Sequence, residues 1–81
     1  PLERELAMVK VAGKGEKHTR AQAIAEEFQA QTLDSSPAHF VFEIAGERSK
    51  IEQFIARLQP LGLVEVARTG LAAISRGPER M

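Results

Sequence analysis

The spacing of apolar residues in the middle of the chain predicts a strand, a helix and a second strand. Over residues 40–45, aromatic and β-branched side chains recur at every second position, which is the pattern of a β-strand. The following apolar residues have the i, i+3, i+4, i+7 spacing of one helical face, and they are Ile51, Phe54, Ile55 and Leu58. Pro60 and Gly62 end this helix, predicted over residues 48–59, and a strand follows over residues 63–68. Such a unit predicts parallel strands joined by a right-handed crossover.

The N-terminal part of the chain predicts another strand and another helix. Residues 5–11 carry apolar side chains at both odd and even positions, which indicates a central strand covered on both faces. Residues 12–18 are rich in glycine and lysine and are interpreted as a loop without a phosphate-binding Walker pattern. Thr19, with Gln22 three residues later, is the predicted N-cap of a helix that runs to about Gln29.

A polar strand and a tight turn are predicted between the two halves. The strand covers residues 30–35, with Leu33 as its apolar anchor, and its polarity suits a sheet edge. The turn formers that follow it predict a hairpin with the strand over residues 40–45. Beyond the last predicted strand, residues 71–74 indicate either a short extra strand or an arm laid on another subunit.

The resulting order, βαββαβ, predicts an α+β fold of the ferredoxin-like sandwich type. Its antiparallel sheet would carry both helices on one face, with residues 1–70 as the domain and residues 71–81 as a C-terminal arm or tail. The helix residues Ile24, Phe28, Ile51, Phe54, Ile55 and Leu58 are the predicted core. The second sheet face also carries apolar groups, so we expect it to pack on another copy or another domain.

Composition limits the classes of function. An 81-residue chain without cysteine has a marginal core and no disulfide, which favours oligomerisation. Lysine plus arginine balance aspartate plus glutamate at 11 each, so charge gives no reason to expect a nucleic-acid or membrane partner. No apolar run approaches the length of a membrane span, and the first residues do not resemble a secretory signal. We therefore expect a cytoplasmic protein.

The polar and ionisable residues of the sequence do not form a recognisable catalytic, cofactor-binding or metal site. The chain has no asparagine, which an acylphosphatase-like site would need, and its two histidines are too few and scattered for a metal site. No RNA-binding motif surrounds Phe40 and Phe42. No serine or threonine has a recognisable base and orienting group beside it. Asp34, the only aspartate, and His39 are interpreted as turn residues.

Several segments together resemble the C-terminal domain of the acetolactate synthase (acetohydroxyacid synthase) small regulatory subunit. The similar segments cover almost the whole chain in order: residues 3–11, 30–34, 43–46, 50–54, 62–70 and 75–77. The resemblance implies a non-catalytic domain that serves subunit association and transmits feedback regulation to a catalytic subunit of branched-chain amino-acid biosynthesis. Thiamine diphosphate, magnesium and FAD are implied only for that catalytic partner. An N-terminal ACT domain that binds the effector is implied as well, but it is not within this sequence.

The implied partners are a second copy of the chain and the catalytic subunit. Charged residues near the last strand and in the first strand are the candidate interface residues: Lys10, Glu65, Arg68 and Arg76. The alternative interpretation is that these are solvated charges or internal ion pairs. Two other functions stay open, namely an ACT-like domain that binds a small amino acid at a dimer interface and, less favoured, a phosphate-handling enzyme.

Overall fold

The predicted order of elements is confirmed in a computed structural model that describes residues 4–69. The strands and helices are β1 (Glu5–Ala12), α1 (Glu16–Glu27), β2 (Gln31–Ser36), β3 (His39–Gly46), α2 (Arg48–Leu58) and β4 (Leu63–Arg68), with a 3-10 turn at Gln59–Leu61. The predicted extra strand or arm at residues 71–74, and the tail over residues 71–81, lie outside the described residues.

The four strands form one sheet in the order β2-β3-β1-β4, and every neighbouring pair is antiparallel. Both β3 and β4 therefore run opposite to β1, which lies between them, and they are parallel to each other. This arrangement is the split βαβ of a ferredoxin-like sandwich, as predicted. The central position of β1 and the edge position of β2 are confirmed as well.

Both helices cover one face of the sheet, and the core lies between these two layers. Its fully buried members come from β1, β3 and α2: Val9, Val11, Phe42, Ile44, Ile51, Phe54 and Leu58. The Phe54 ring contacts two other rings, with centroid distances of 5.4 Å to Phe28 and 6.0 Å to Phe42. Ile24 is buried, whereas Phe28 and Ile55 pack against the core and are only partly buried. The predicted core is confirmed.

Helix α1 begins one turn earlier than the sequence predicts. Its N-cap position is Gly15, whose positive φ of 62° lets the chain turn from strand to helix within a few residues. Thr19 lies inside the helix, and its hydroxyl donates to the carbonyl oxygen of Gly15 at 3.3 Å. The predicted N-cap at Thr19 and the predicted loop over residues 16–18 are therefore wrong, and His18 becomes a helix residue.

The interpretation of Leu33 as an apolar anchor of β2 is wrong. The pairing of β2 with β3 is interrupted between Thr32 and Asp34, where a bulge leaves Leu33 as the extra residue. Leu33 is 45% exposed as a result. The bulge and the polar composition of β2 suit an edge strand, because they discourage pairing with a further strand.

Candidate association surface

The face of the sheet opposite the helices is not covered by any described part of the chain. In β1, alternate residues from Glu5 to Val11 are buried beneath the helices, and the residues between them point to the other face. Met8 is the most exposed apolar residue among these, with 44% of its surface exposed. Strand pairing places Met8 opposite Glu43 on one side and Ala67 on the other.

The apolar residues on this face lie close together around Glu43, and we call them the sheet patch. It consists of five residues from three neighbouring strands: Leu6, Met8, Val41, Ala45 and Ala67. Two shallow depressions open on this area. One is lined by Met8, Val41 and Ala67 together with Lys10 and Glu65, and the other is lined by residues that include Leu6, Met8 and Ala67. Glu43 lies on the same face, directly opposite Met8 and between Val41 and Ala45, so the area is a mixture of apolar and charged residues, as many protein interfaces are.

Two of the four candidate interface residues lie at the margin of the sheet patch. Lys10 of β1 and Glu65 of β4 stand directly opposite each other in the strand pairing. Both are exposed, and opposite charges at paired positions attract weakly across an antiparallel sheet. Their role in an interface stays a prediction.

Arg68, the third candidate, is held in an internal ion pair. Its guanidinium donates two hydrogen bonds to the Glu5 carboxylate, with Nη2–Oε1 at 2.6 Å and Nε–Oε2 at 3.0 Å. Glu52 of α2 lies 3.7 Å from the same Nη2. These contacts raise the pKa of Arg68, chiefly through the hydrogen bond with Glu5. An interface role for Arg68 stays a prediction, and Arg76 lies outside the described residues.

The β2–β3 hairpin carries a hydrogen-bonded cluster that the sequence analysis missed. Asp34 and Ser36 both lie beside His39, so the interpretation of Asp34 as lacking a neighbouring histidine is wrong. Ser36 and His39 are the last paired residues before the turn, and Asp34 lies two residues before Ser36 on the same side of β2. The spacing Asp-x-Ser-x-x-His across a two-residue turn is the signal that could have revealed the cluster.

The phenylalanines of β3 do not form a base-stacking surface. Phe40 is 4% exposed and Phe42 is completely buried, because both point toward the helices. The ring of His18 stacks on Phe40 with a centroid distance of 4.0 Å and covers it further. Recognition of RNA by stacking needs exposed aromatic rings, so this arrangement does not support it.

Grouped metal ligands and membrane-spanning helices are both absent from the part of the chain that the structure describes. Within residues 4–69 no three His, Cys, Asp or Glu side chains are grouped so that they could hold a metal ion. No helix in the same range has the length and apolar character needed to cross a bilayer.

Comparison with known proteins gives consistent similarities. The family described as the small subunit of acetolactate synthase matches residues 4–77. The acetolactate synthase small subunit of Bacillus subtilis is 39% identical over 79 residues, which are 98% of this chain and 46% of that protein. The isozyme 3 small subunit of Escherichia coli is 32% identical over 81 residues, covering 99% of this chain and 50% of that protein.

A solved structure is similar as well. The crystal structure of the acetolactate synthase small subunit from Thermotoga maritima superimposes with a TM-score of 0.75 and 39% identity, over 85% of this chain and 42% of that one. The chain thus spans about half the length of the relatives that it matches. The resemblance inferred from the sequence is confirmed, and this chain belongs to the family of acetolactate synthase small subunits, in which it corresponds to the C-terminal domain.

Proposed function

We propose that this chain is an association domain of the acetolactate synthase small subunit. In this proposal it joins copies of the small subunit and transmits feedback regulation to the catalytic subunit, and it performs no reaction itself. Thiamine diphosphate, magnesium and FAD would belong to that catalytic subunit. The observation that carries the proposal is the sheet patch, an apolar area on the sheet face that the helices leave uncovered.

The size of the domain adds support. With 81 residues and no disulfide, the chain has one small core, and burial of a second apolar face would add to its stability. The sheet patch has charges of both signs beside it, in Lys10, Glu65 and Glu43. Opposite charges at a margin set the orientation of a partner more than they add affinity. The arrangement therefore suits a specific protein partner rather than a nonspecific apolar contact.

A matched pair of variants tests the proposal. Met8→Glu places a charge at the centre of the sheet patch, whereas Gln53→Glu places the same charge on an exposed position of α2. We expect pull-down of the cognate catalytic subunit, and stimulation of its activity, to be reduced by Met8→Glu and retained by Gln53→Glu. If both variants bind and stimulate as well as the parent, the sheet patch is not the association surface.

A second candidate function is binding of a small amino acid at a dimer interface. The depression lined by Met8, Val41 and Ala67 also has Lys10 and Glu65 at its margin. An apolar amino acid carries one carboxylate and one ammonium group, which a lysine and a glutamate would complement. Titration calorimetry with valine, leucine and isoleucine tests this candidate. Saturable heat that is lost in Lys10→Met supports it, and no heat at millimolar ligand excludes it.

A further inference from the structure

The hairpin between β2 and β3 holds a serine, a histidine and an aspartate in one chain of hydrogen bonds. Ser36 Oγ lies 2.6 Å from Nδ1 of His39, and Nε2 of the same ring lies 3.2 Å from Oδ2 of Asp34. With the ring proton on Nε2, His39 donates to the carboxylate and accepts from the serine hydroxyl. The association function proposed above uses none of these three groups.

This geometry is that of a nucleophile, a base and an orienting group. A serine becomes reactive when a base within hydrogen-bond distance takes its proton and a third group holds that base in position. The backbone N–H of Ala38 donates to Ser36 Oγ at 3.1 Å, which stabilises negative charge on the oxygen as the proton leaves. Ser36 therefore has all its activating contacts within one short hairpin.

Helix α1 and the loop before it hold the backbone of this hairpin in place. Nε2 of His18 donates to the carbonyl oxygen of Ser36 at 2.8 Å, and the His18 ring stacks on Phe40. The backbone N–H of Gly13 donates to the Ala38 carbonyl oxygen at 2.9 Å. These contacts restrict the positions of Ser36 and the turn, so that the nucleophile and its base remain close without a substrate.

We propose that Ser36 is a modification site that accepts an acyl group from small activated acyl donors, such as aryl esters and acyl phosphates. Ser36 Oγ attacks the carbonyl carbon and forms the new C–O bond, while its proton passes to Nδ1 of His39. The bond between the carbonyl carbon and the leaving oxygen breaks, and the leaving oxygen takes the electron pair and then the proton from His39. The product is an acyl ester on Ser36, with His39 neutral again.

Exposure of the cluster limits the class of donor. The side chain of Asp34 is 67% exposed and that of His39 is 30% exposed, and Ser36 is partly buried at the end of β2. The exposed side chains of Asp34 and His39 leave a side of the cluster open, from which solvent and small donors would approach Ser36. A solvated carboxylate orients the imidazole but stabilises its positive charge only weakly. Reactivity should accordingly be restricted to acyl groups that already carry a good leaving group.

The full chain treated with 4-nitrophenyl acetate tests the proposal. Peptide mapping should find one acetyl ester at Ser36, sensitive to hydroxylamine, which distinguishes it from acetylated lysine. Ser35 is the internal control, because it is the neighbouring exposed serine and pairs with Phe40 on the other side of the strand. His39→Gln should slow acetylation of Ser36 by about 100-fold, and Asp34→Asn should slow it by a smaller factor.

Two outcomes would overturn the proposal. The first is acetylation of Ser36 in the unsubstituted chain at the rate found for Ser35, a result that does not depend on the folding of any variant. The second is an unchanged rate at Ser36 in a His39→Gln variant whose circular dichroism matches the parent. In either case the cluster is a stabilising feature of the turn only.

Discussion

The ion pair between Glu5 and Arg68 is the residue-level contact with the largest expected effect on stability. Glu5 is 3% exposed, and Arg68 donates two hydrogen bonds to its carboxylate. Because these bonds are charge-assisted and one partner is buried, Arg68→Met should lower the free energy of unfolding by about 1–3 kcal/mol. Urea denaturation followed by circular dichroism measures this change.

Arg57→Met is the matched control for that prediction. Arg57 also makes two hydrogen bonds to a glutamate, Glu27, but both side chains are about half exposed. Solvent screens such a pair, and its loss should cost less than about 1 kcal/mol. Equal effects of the two substitutions would show that burial of Glu5 does not strengthen its ion pair.

The pH dependence of the Arg68 contribution follows from the direction of its pKa shift. The contact with Glu5 raises the pKa of Arg68, so the folded state holds the proton more tightly than the unfolded state. This contribution is complete below the pKa of the unfolded state and is lost only as the pH rises through the raised pKa of the folded state, both far above neutral pH. Titration of Arg68 therefore does not change stability at neutral pH.

Some contacts of single residues could not be predicted from the sequence. Glu65 and Arg68 were interface candidates because both are charged and lie in the last predicted strand. The sequence could not show that Arg68 faces the helices and meets Glu5, since that contact depends on the register of β1 with β4. The cluster at Ser36 was missed for a similar reason, because it depends on side-chain conformations at one turn.

At the scale of elements, the turn before β4 has a position that requires glycine. Gly62 has φ of 100°, and a Cβ atom there would lie 1.9 Å from the carbonyl oxygen of Ala12. Gly62→Ala therefore forces the backbone apart and breaks the hydrogen bond from Ala12 N to Gly62 O at 2.8 Å. We expect a loss of at least about 1–3 kcal/mol in the free energy of unfolding, measured by urea denaturation.

Gly15→Ala is the control that shows how much of the loss at Gly62 comes from the steric clash and how much from the positive φ alone. Gly15 also has a positive φ, of 62°, but a Cβ atom there would have no neighbour within 4 Å. This substitution should cost only the penalty for a side chain at φ 62° and ψ −125°, about 1–3 kcal/mol. If Gly62→Ala is no worse than Gly15→Ala, the contact with Ala12 adds nothing to the need for glycine at position 62.

The number and order of elements could be predicted from the sequence, but not all of their ends. Strong periodicity gave β3 and α2, whose observed bounds differ from the predicted ones by a residue or two. The start of α1 was misplaced because Thr19 has the spacing of an N-cap although Gly15 already permits the turn. The bulge at Leu33 gives no periodic signal, since it appears only when β2 pairs with β3.

For the whole molecule, stability depends on one core between the helices and the sheet. Phe54 is completely buried at its centre and contacts the rings of Phe28 and Phe42. Phe54→Ala should cost about 3–5 kcal/mol, which is a large part of the stability of a domain of this size. Thermal melts followed by circular dichroism measure the effect. Phe28→Ala, at a partly buried position, should cost less, and a parent-like melt for Phe54→Ala would contradict the core assignment.

For the uncovered face of the sheet, we predict that two or more copies of the chain associate. Light scattering on a sizing column should give at least twice the chain mass of 8.9 kDa, and Met8→Glu should shift the protein toward monomer. The physical reason is that a dimer would bury the sheet patch, which one chain leaves in water. A parent that is monomeric at all concentrations would contradict self-association and leave the catalytic subunit as the expected partner.

The fold of residues 4–69 was more predictable than the role of their surface. Strand and helix order define the βαββαβ topology, and the pattern in β1 indicated apolar groups on both sheet faces. What covers the second face cannot be derived from periodicity, because the same alternation serves a dimer, a second domain or another subunit. The family assignment narrows that choice, and the variants at Met8 and Gln53 test it.

The neighbouring positions of β1 and β4 have a mechanical consequence. Leu6 and Thr69 are hydrogen-bonded to each other, through the Leu6 N–H and Thr69 Oγ1 at 3.0 Å and the Thr69 N–H and Leu6 O at 2.9 Å. The beginning of β1 and the end of β4 therefore lie at the same end of the sheet, and tension applied through these two strand ends would open the bonds of the ladder one after another rather than shear them all at once. Opening bonds one at a time needs less force than shearing a whole ladder. A force that pulls the beginning of β1 and the end of β4 apart therefore acts first on the hydrogen bonds between Leu6 and Thr69.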